Sequence, residues 1–234
     1  MSKVICVVSG GMDSATLAWH YSQTHEVELV GFDYGQRHRK ELESLALIAG
    51  ELNCHYRIVS IPGQELLHGS ALTSDTVQVP DGHYAQETMK ATVVPNRNAI
   101  MLAIATGIAV AEGAEIVATG VHAGDHFIYP DCRPVFFNPF ANAMQAANEG
   151  FTVDGFRLEA PFIDWSKADI AAHGFTLGVK YESTWSCYKG GEIHCGRCGT
   201  CVERAEAFHL AGVPDPTEYE DKDFWINEIE RAKQ

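Results

Sequence analysis

The sequence predicts an α/β protein: a parallel five-stranded sheet with helices on both faces, followed by a small C-terminal zinc-knuckle segment. Three observations carry this reading. Short Val/Ile-rich runs that do not alternate recur along the chain, as strands buried on both faces do. Segments with apolar residues at three- and four-residue spacing stand between them, so strands and helices alternate and the sheet is parallel. Finally, Cys187, Cys195, Cys198 and Cys201 crowd into residues 187–201, whereas Cys6, Cys54 and Cys132 are scattered.

The elements follow in order. VICVV at 4–8 is the first strand. SGGMDSAT at 9–16 then leads into LAWHY, where Leu17, Ala18 and Tyr21 recur at helical spacing and Asp13 or Ser14 is placed to cap the helix. VELVGF at 27–32 is the second strand, ended by DYG. RKELESLALIAGELN at 39–53 is a helix, and YRIVSI at 56–61 is the third strand. Residues 62–93, with Gly63, Gly69, Pro80 and Gly82, read as a long loop, and a loop of that length in a compact domain is functional or mobile. A buried helix covers 98–112, EIVATG at 115–120 is the fourth strand, and 135–150 is a helix whose Pro139 belongs in its first turn or breaks it. FRLEAPFI at 156–163 is the fifth strand. SKADIAAHG at 166–174 opens on a Ser cap and closes on Gly174. CVERAEAFHLAG is a helix leaving the cysteine segment, and the acidic tail, a solvated surface, holds one short helix, FWINEIERA. The chain thus divides into an α/β domain, 1–180, and a C-terminal segment, 181–234, packed on it as a single functional unit.

Composition bounds the function. Hydrophobic residues make up 46% and charged residues 21% of 234, an ordinary globular balance. A net charge of −14 without clustered Lys and Arg excludes a nonspecific grip on nucleic acid, though not a local basic pocket. The longest apolar stretch, 99–111, is shorter than the roughly 18–20 residues a membrane span needs. The apolar run at the amino end stops at the glycine loop, unlike a signal peptide. The expectation is a cytoplasmic protein with no membrane and no nucleic-acid partner.

Ligands of parallel sheets bind beyond the strands' carboxyl ends, so the glycine loop, DYGQRH, TGVHAGD and APFID should converge on one cleft. A strand, glycine loop and helix start aim backbone N–H groups and the positive helix end at one point, which suits a phosphate, although Gly-Gly turns also occur without a ligand. The loop lacks the lysine of a Walker A motif and the GxGxxG spacing. SGGxDS, filled here by Ser9, Gly10, Gly11, Asp13 and Ser14, matches the pyrophosphate loop of ATP-dependent adenylating enzymes. Small residues let the backbone close on a pyrophosphate, and hydroxyls add donors.

The four clustered cysteines suit zinc in a closed tetrahedral site whose role is to fasten the carboxyl segment. Gly196 and Gly199 would free backbone N–H groups to face sulfur. An iron–sulfur cluster also takes four thiolates, and ligand type favours zinc. His194 reads as a neighbour of the site. Arg97 in VVPNRN is either a substrate contact or part of a helix start capped by Asn96 or Asn98, and both readings stay open. Asp131 and Arg133 in YPDCR are candidates for substrate contact within an ordinary turn. Lys167, just after the helix cap, reads as a phosphate contact or as a solvated lysine. Nothing beside Cys132 lowers its pKa.

SGGMDSAT, FDYGQRHRKE, VVPNRN, TGVHAGDHFIYPDCR, APF…SKADI and TWSCY…HCGRCGTCVERAEAF run in that order from about residue 4 to about 210. Together they resemble the 7-cyano-7-deazaguanine synthase family of the queuosine pathway. One departure is Asn96, where the family commonly has Gly; Asn adopts left-handed backbone angles more readily than most residues. The resemblance implies an adenine nucleotide α-hydrolase-like fold, one structural Zn²⁺ per chain, ATP with Mg²⁺ as co-substrate, and a homodimer. It implies conversion of 7-carboxy-7-deazaguanine and ammonia to the nitrile through an adenylated carboxylate and an amide. The ATP phosphates would be held by residues 8–18, namely Val8, Ser9, Gly10, Gly11, Met12, Asp13, Ser14, Ala15, Thr16, Leu17 and Ala18. Lys167 or Arg97 would offset charge developing at the α-phosphate. Asp125 or Asp131 would accept hydrogen bonds from the guanine-like edge. No glutaminase-like region fits in the remaining length, so ammonia would arrive free or from a partner. A tRNA-directed thiolase or lysidine-type ligase is disfavoured by the acidic balance. A noncatalytic zinc-knuckle module would leave SGGMDS unexplained.

Overall fold

Five parallel strands form one sheet in the order β3-β2-β1-β4-β5, with β1 Lys3–Val7, β2 Glu26–Asp33, β3 His55–Ser60, β4 Ile116–Thr119 and β5 Arg157–Glu159. The structure, a computed structural model, describes residues 1–36, 39–62, 69–74 and 76–232. Arg37 and His38 of DYGQRH and part of the long loop lie outside the described residues. In register, Ile5 of β1 stands between Glu28 of β2 and Val117 of β4. The chain leaves β1 for β2 on one side and returns as β4 on the other. This is a topological switch point, where a crevice opens beyond the carboxyl ends.

Side-chain alternation along β1 divides the interior into two cores. Val4, Cys6 and Val8 join Leu17, Ala18, Leu45, Ile48, Ile170 and Phe208 on one face, while Ile5 joins Val30, Val117, Met101, Leu102 and Phe137 on the other. The first face is therefore covered by α1 (Met12–Ser22), α2 (Lys40–Leu52), α5 (Lys167–Leu177) and α6 (Gly199–Ala211). The second is covered by α3 (Arg97–Glu112) and α4 (Pro134–Ala147), and α7 (Phe224–Ala232) follows in the tail. No helix among the described residues is long and apolar enough to cross a membrane.

Several local expectations are corrected. Helix α1 begins at Met12, so Gly11 holds the cap position and neither Asp13 nor Ser14 caps it; the Ser14 hydroxyl instead donates to the Gly11 carbonyl at 3.1 Å. Pro139 lies inside α4, which opens on Pro134. The bond Pro139 forgoes would have gone to the carbonyl of Val135, a residue 79% exposed whose carbonyl can turn to water. Gly174 does not end α5. The helix runs on to Gly178 in a left-handed conformation, and Gly174 is small because a Cβ would sit 1.9 Å from the Tyr181 hydroxyl. The Ser166 cap holds, with Asp169 completing a capping box. The tail is not simply a solvated surface: Asp215 pairs with the fully buried Arg204, and the Asp221 carbonyl packs against Gly196.

Candidate active site at the carboxyl ends of the strands

Strand β1 ends where Val8 N–H donates to the Val30 carbonyl, and the chain then turns at Gly10, φ +100°. A Cβ on Gly10 would come within 2.1 Å of the Glu41 carbonyl oxygen, so the loop closes directly on the start of α2. Gly11 follows with no side-chain cap on α1, which leaves first-turn N–H groups for an anion.

Two adjoining cavities open over this loop. The larger, about 200 Å³, lies over the ends of β1, β2 and β4 (Val8, Phe32, Tyr34, Thr119, Gly120), with Arg97 and Met101 from α3. The smaller, about 120 Å³, lies between the loop and the cysteine segment, lined by Gly11, Lys167, Trp185, Thr200 and Glu203, with Val79, Tyr84 and Met89 of the long loop. Ser9, Asp13, Glu41, Asp125, Tyr129 and Tyr188 line both. The glycine loop, the DYGQ segment and the TGVHAGD segment thus meet. APFID lines neither cavity, and Trp165, the residue after it, supports TGVHAGD from below, its carbonyl accepting from Ala123 N–H at 2.9 Å. Within residues 8–18, Val8, Ser9, Gly11, Met12, Asp13 and Ser14 reach a cavity. Ala15, Leu17 and Ala18 are core residues, and Thr16 bonds the Met12 carbonyl and the Tyr181 hydroxyl.

Lys167 is not a solvated lysine. Its ammonium lies 2.7 Å from Glu203 Oε2 and 3.1 Å from Asp13 Oδ2. Burial works against its charge, but the Asp13 and Glu203 carboxylates outweigh burial and hold the ammonium above its ordinary pKa. Burial conversely pushes the Glu203 carboxyl up, against the pull of Lys167. His122, 1% exposed, accepts from Gly124 N–H at Nδ1, which leaves the ring proton of the neutral form on Nε2. That atom points between Asp13 and Asp125 at 3.8 and 3.6 Å. Asp13 Oδ1 and His122 Nε2 are both buried without a hydrogen-bond partner among the described residues. Such atoms mark a place where a ligand or water completes the set.

Arg97 enters the larger cavity and donates to the Tyr34 hydroxyl at 3.2 Å. The loop before it takes its shape from Asn96, at φ 61° and ψ 15°, so asparagine supplies the left-handed turn. Neither Asn96 nor Asn98 caps α3 with its side chain. Asp131 does so from a distance, Oδ2 accepting from Asn98 N–H at 2.9 Å, and Arg133 Nε donates to the His126 carbonyl at 2.7 Å. Asp131 and Arg133 line neither cavity, whereas Asp125 lines both. Cys132 is buried against the larger cavity, and burial pushes its thiol up, away from nucleophilic character. Glu203 and Glu41 escaped sequence reasoning. Glu203 lies beyond a cysteine on an ordinary helix, and Glu41 reads as a solvated first-turn acid.

The four cysteines of the C-terminal segment are buried, with sulfurs within 4.8 Å of one another. Thiolates on a metal at about 2.3 Å in a tetrahedron stand about 3.8 Å apart, and the Cys195–Cys201 and Cys198–Cys201 sulfurs are 3.9 and 3.4 Å apart. The residues fit a single metal ion. Arg197 and Cys198 N–H groups face Cys195 sulfur at 3.4 and 3.3 Å. Gly196, at φ +74°, makes the turn that aims these groups as expected and also leaves room for the Asp221 carbonyl, whereas Gly199 makes room for Met89 of the long loop. His194 turns away, its Nε2 accepting from Ser186 N–H at 3.0 Å.

The family model described as queuosine biosynthesis protein QueC matches residues 3–212. A protein of Rhizobium johnstonii named 7-cyano-7-deazaguanine synthase is 60% identical over 231 residues, covering 98% of this chain and 97% of its own. One of the same name from Brucella anthropi is 56% identical over 231 residues, covering 98% of each. Among solved structures, a U34-tRNA thiolase from Methanococcus maripaludis aligns with a TM-score of 0.46 at 15% identity, over 99% of this chain and 70% of the thiolase. The chain belongs to the QueC family of queuosine biosynthesis proteins.

Proposed function

We propose that this chain is an ATP-dependent 7-cyano-7-deazaguanine synthase, joining ammonia to 7-carboxy-7-deazaguanine. The observation that carries the reading is the pair of adjoining cavities whose shared wall is the glycine loop and Asp13, with Lys167 on one side and Arg97 on the other. The larger cavity takes the adenosine, the smaller one the deazaguanine, and the α-phosphate meets the substrate carboxylate where they join. A carboxylate is a poor electrophile because its leaving group is oxide. Transfer of AMP supplies a better one, ammonia then gives the amide, and activation of the amide oxygen by a second ATP allows elimination to the nitrile.

Residues 8–14 hold the phosphates through first-turn N–H groups and the Ser9 and Ser14 hydroxyls. Lys167, positioned by Glu203, and Arg97 offset charge developing at the α-phosphate. Asp125 accepts hydrogen bonds from the guanine-like edge, and Mg²⁺ accompanies ATP. Cys187, Cys195, Cys198 and Cys201 hold one Zn²⁺, which fastens the segment that carries Glu203. Residues 1–180 and 181–234 act as one unit, because Glu203 of the second segment reaches Lys167 of the first. We take the enzyme to be a cytoplasmic homodimer.

The test is turnover of purified protein with 7-carboxy-7-deazaguanine, ammonium, Mg²⁺ and ATP, read by mass spectrometry. The expected products are the nitrile and AMP. Absence of both amide and nitrile from protein that still binds ATP would overturn the substrate assignment.

A further inference from the structure

Three carboxylates line the junction of the two cavities: Asp13, Asp125 and Glu41. Asp13 is engaged by the Lys167 ammonium at 3.1 Å. Asp125 accepts from the His122 backbone N–H at 3.4 Å and closes the capping box of its turn. Glu41 is the carboxylate that the phosphate loop and the lysine network leave unused.

Its position is built in. Glu41 stands in the first turn of α2, and the close approach of Gly10 to its carbonyl fixes that turn against the glycine loop. The residue lies deep in the molecule but keeps partial accessibility, which it owes to the cavities it lines. Arg97 from α3, Tyr34 after β2 and Tyr188 from the cysteine segment interact with it electrostatically, and Asp13, Asp125 and Tyr129 line the same two cavities. Arg97 acts on Glu41 through space, and the two form no ion pair, so the guanidinium stays available to an anionic ligand. Burial pushes the Glu41 carboxyl up to about 7, against the opposing pull of Arg97.

We propose that Glu41 is the proton acceptor for the nitrogen nucleophile at the junction of the cavities. This rests on the synthase reading above. Ammonia nitrogen adds to the acyl carbon of the adenylate, a C–N bond forms, the C–O bond to phosphate breaks, and AMP leaves with the electron pair. The nitrogen sheds one proton to a Glu41 carboxylate oxygen. When the amide oxygen attacks a second ATP and displaces pyrophosphate, a second N–H proton goes the same way. Elimination of AMP to give C≡N releases the third. A carboxyl group that titrates near neutrality can take up each proton and return it to water between steps.

The test separates activation from nitrogen transfer. In Glu41→Gln, pyrophosphate exchange into ATP that depends on the acid should stay within about threefold of wild type, while amide and nitrile formation from ammonium falls about 100-fold or more. At a fixed concentration of free ammonia, amide formation by the wild type should rise as pH passes through about 7. That rise should be absent in Glu41→Gln and present in Glu41→Asp, which keeps a carboxylate. Wild-type amide formation by Glu41→Gln, or equal losses of exchange and amide formation in both variants, would overturn the assignment. A wild-type protein lacking exchange as well would overturn the synthase reading itself, an outcome visible before any variant is made.

Discussion

Lys3 of β1, Glu28 of β2, Arg57 of β3 and Glu112 at the end of α3 form a closed set at the amino ends of the strands. Lys3 meets Glu28 at 2.6 Å and also pairs with Glu112, while Arg57 Nε donates to Glu28 at 2.6 Å and Arg57 pairs with Glu112 as well. Every charge there has an opposite charge in contact. The carboxyl ends hold a comparable number of charged groups with an open account: Asp13 Oδ1 and His122 Nε2 lack partners among the described residues, and Arg97 touches a neutral tyrosine. The first arrangement joins three strands and a helix. The second keeps hydrogen-bonding capacity in reserve for something absent from the chain, and it lies where a parallel sheet binds ligands.

That contrast can be broken at either end. The largest effect is expected from Cys198→Ser, which removes a buried thiolate of the four-cysteine site; bound metal should fall from one per chain to near none, and the segment carrying Glu203 should lose its fold. Metal analysis and proteolysis check this. Next, Lys167→Met leaves Asp13 and Glu203 without their cation and should cost about 3 kcal/mol in denaturant unfolding and about 100- to 1,000-fold in turnover. Lys167→Arg should recover the stability and not the turnover, which separates charge from geometry. At the amino end, Arg57→Met should cost about 0.5 kcal/mol, because Arg57 is 41% exposed and Glu28 keeps Lys3. Its turnover should be unchanged.

The smallest effect is one of pH. The Lys3 hydrogen bond, foremost among its contacts, holds the Glu112 carboxyl down to about 2 from 4.5. A depressed carboxyl stabilises the fold fully above its unfolded value and loses that contribution as pH falls toward the folded one. The melting temperature of wild type should therefore exceed that of Glu112→Gln by a constant margin above about pH 5, and the margin should vanish toward pH 2.

What the sequence made legible follows from how local each signal is. The five strands, the glycine loop and the cysteine knuckle each announce themselves within a few residues and stand close to where they were expected, except that β5 is only Arg157–Glu159 of the expected 156–163. Caps and ion pairs that cross the chain were not legible. Asp131 caps a helix 33 positions away and Lys167 pairs 36 positions away, and neither spacing leaves a local pattern. The glycines show the same limit. Gly174 and Gly199 look like a helix stop and a sulfur-facing residue, but their smallness answers to Tyr181 and Met89, which only the fold brings near. Glu41 was hidden for the opposite reason, since an acid in a first turn is so ordinary that nothing marks it as facing a cavity.

If the unfinished network at the carboxyl ends serves an adenylation reaction, labelled pyrophosphate should exchange into ATP with 7-carboxy-7-deazaguanine present and no ammonium, and should not do so without the acid. Exchange should require the acid, persist in Arg57→Met and be lost in Lys167→Met. Exchange that is absent in the wild type, or equally fast without the acid, would contradict that role.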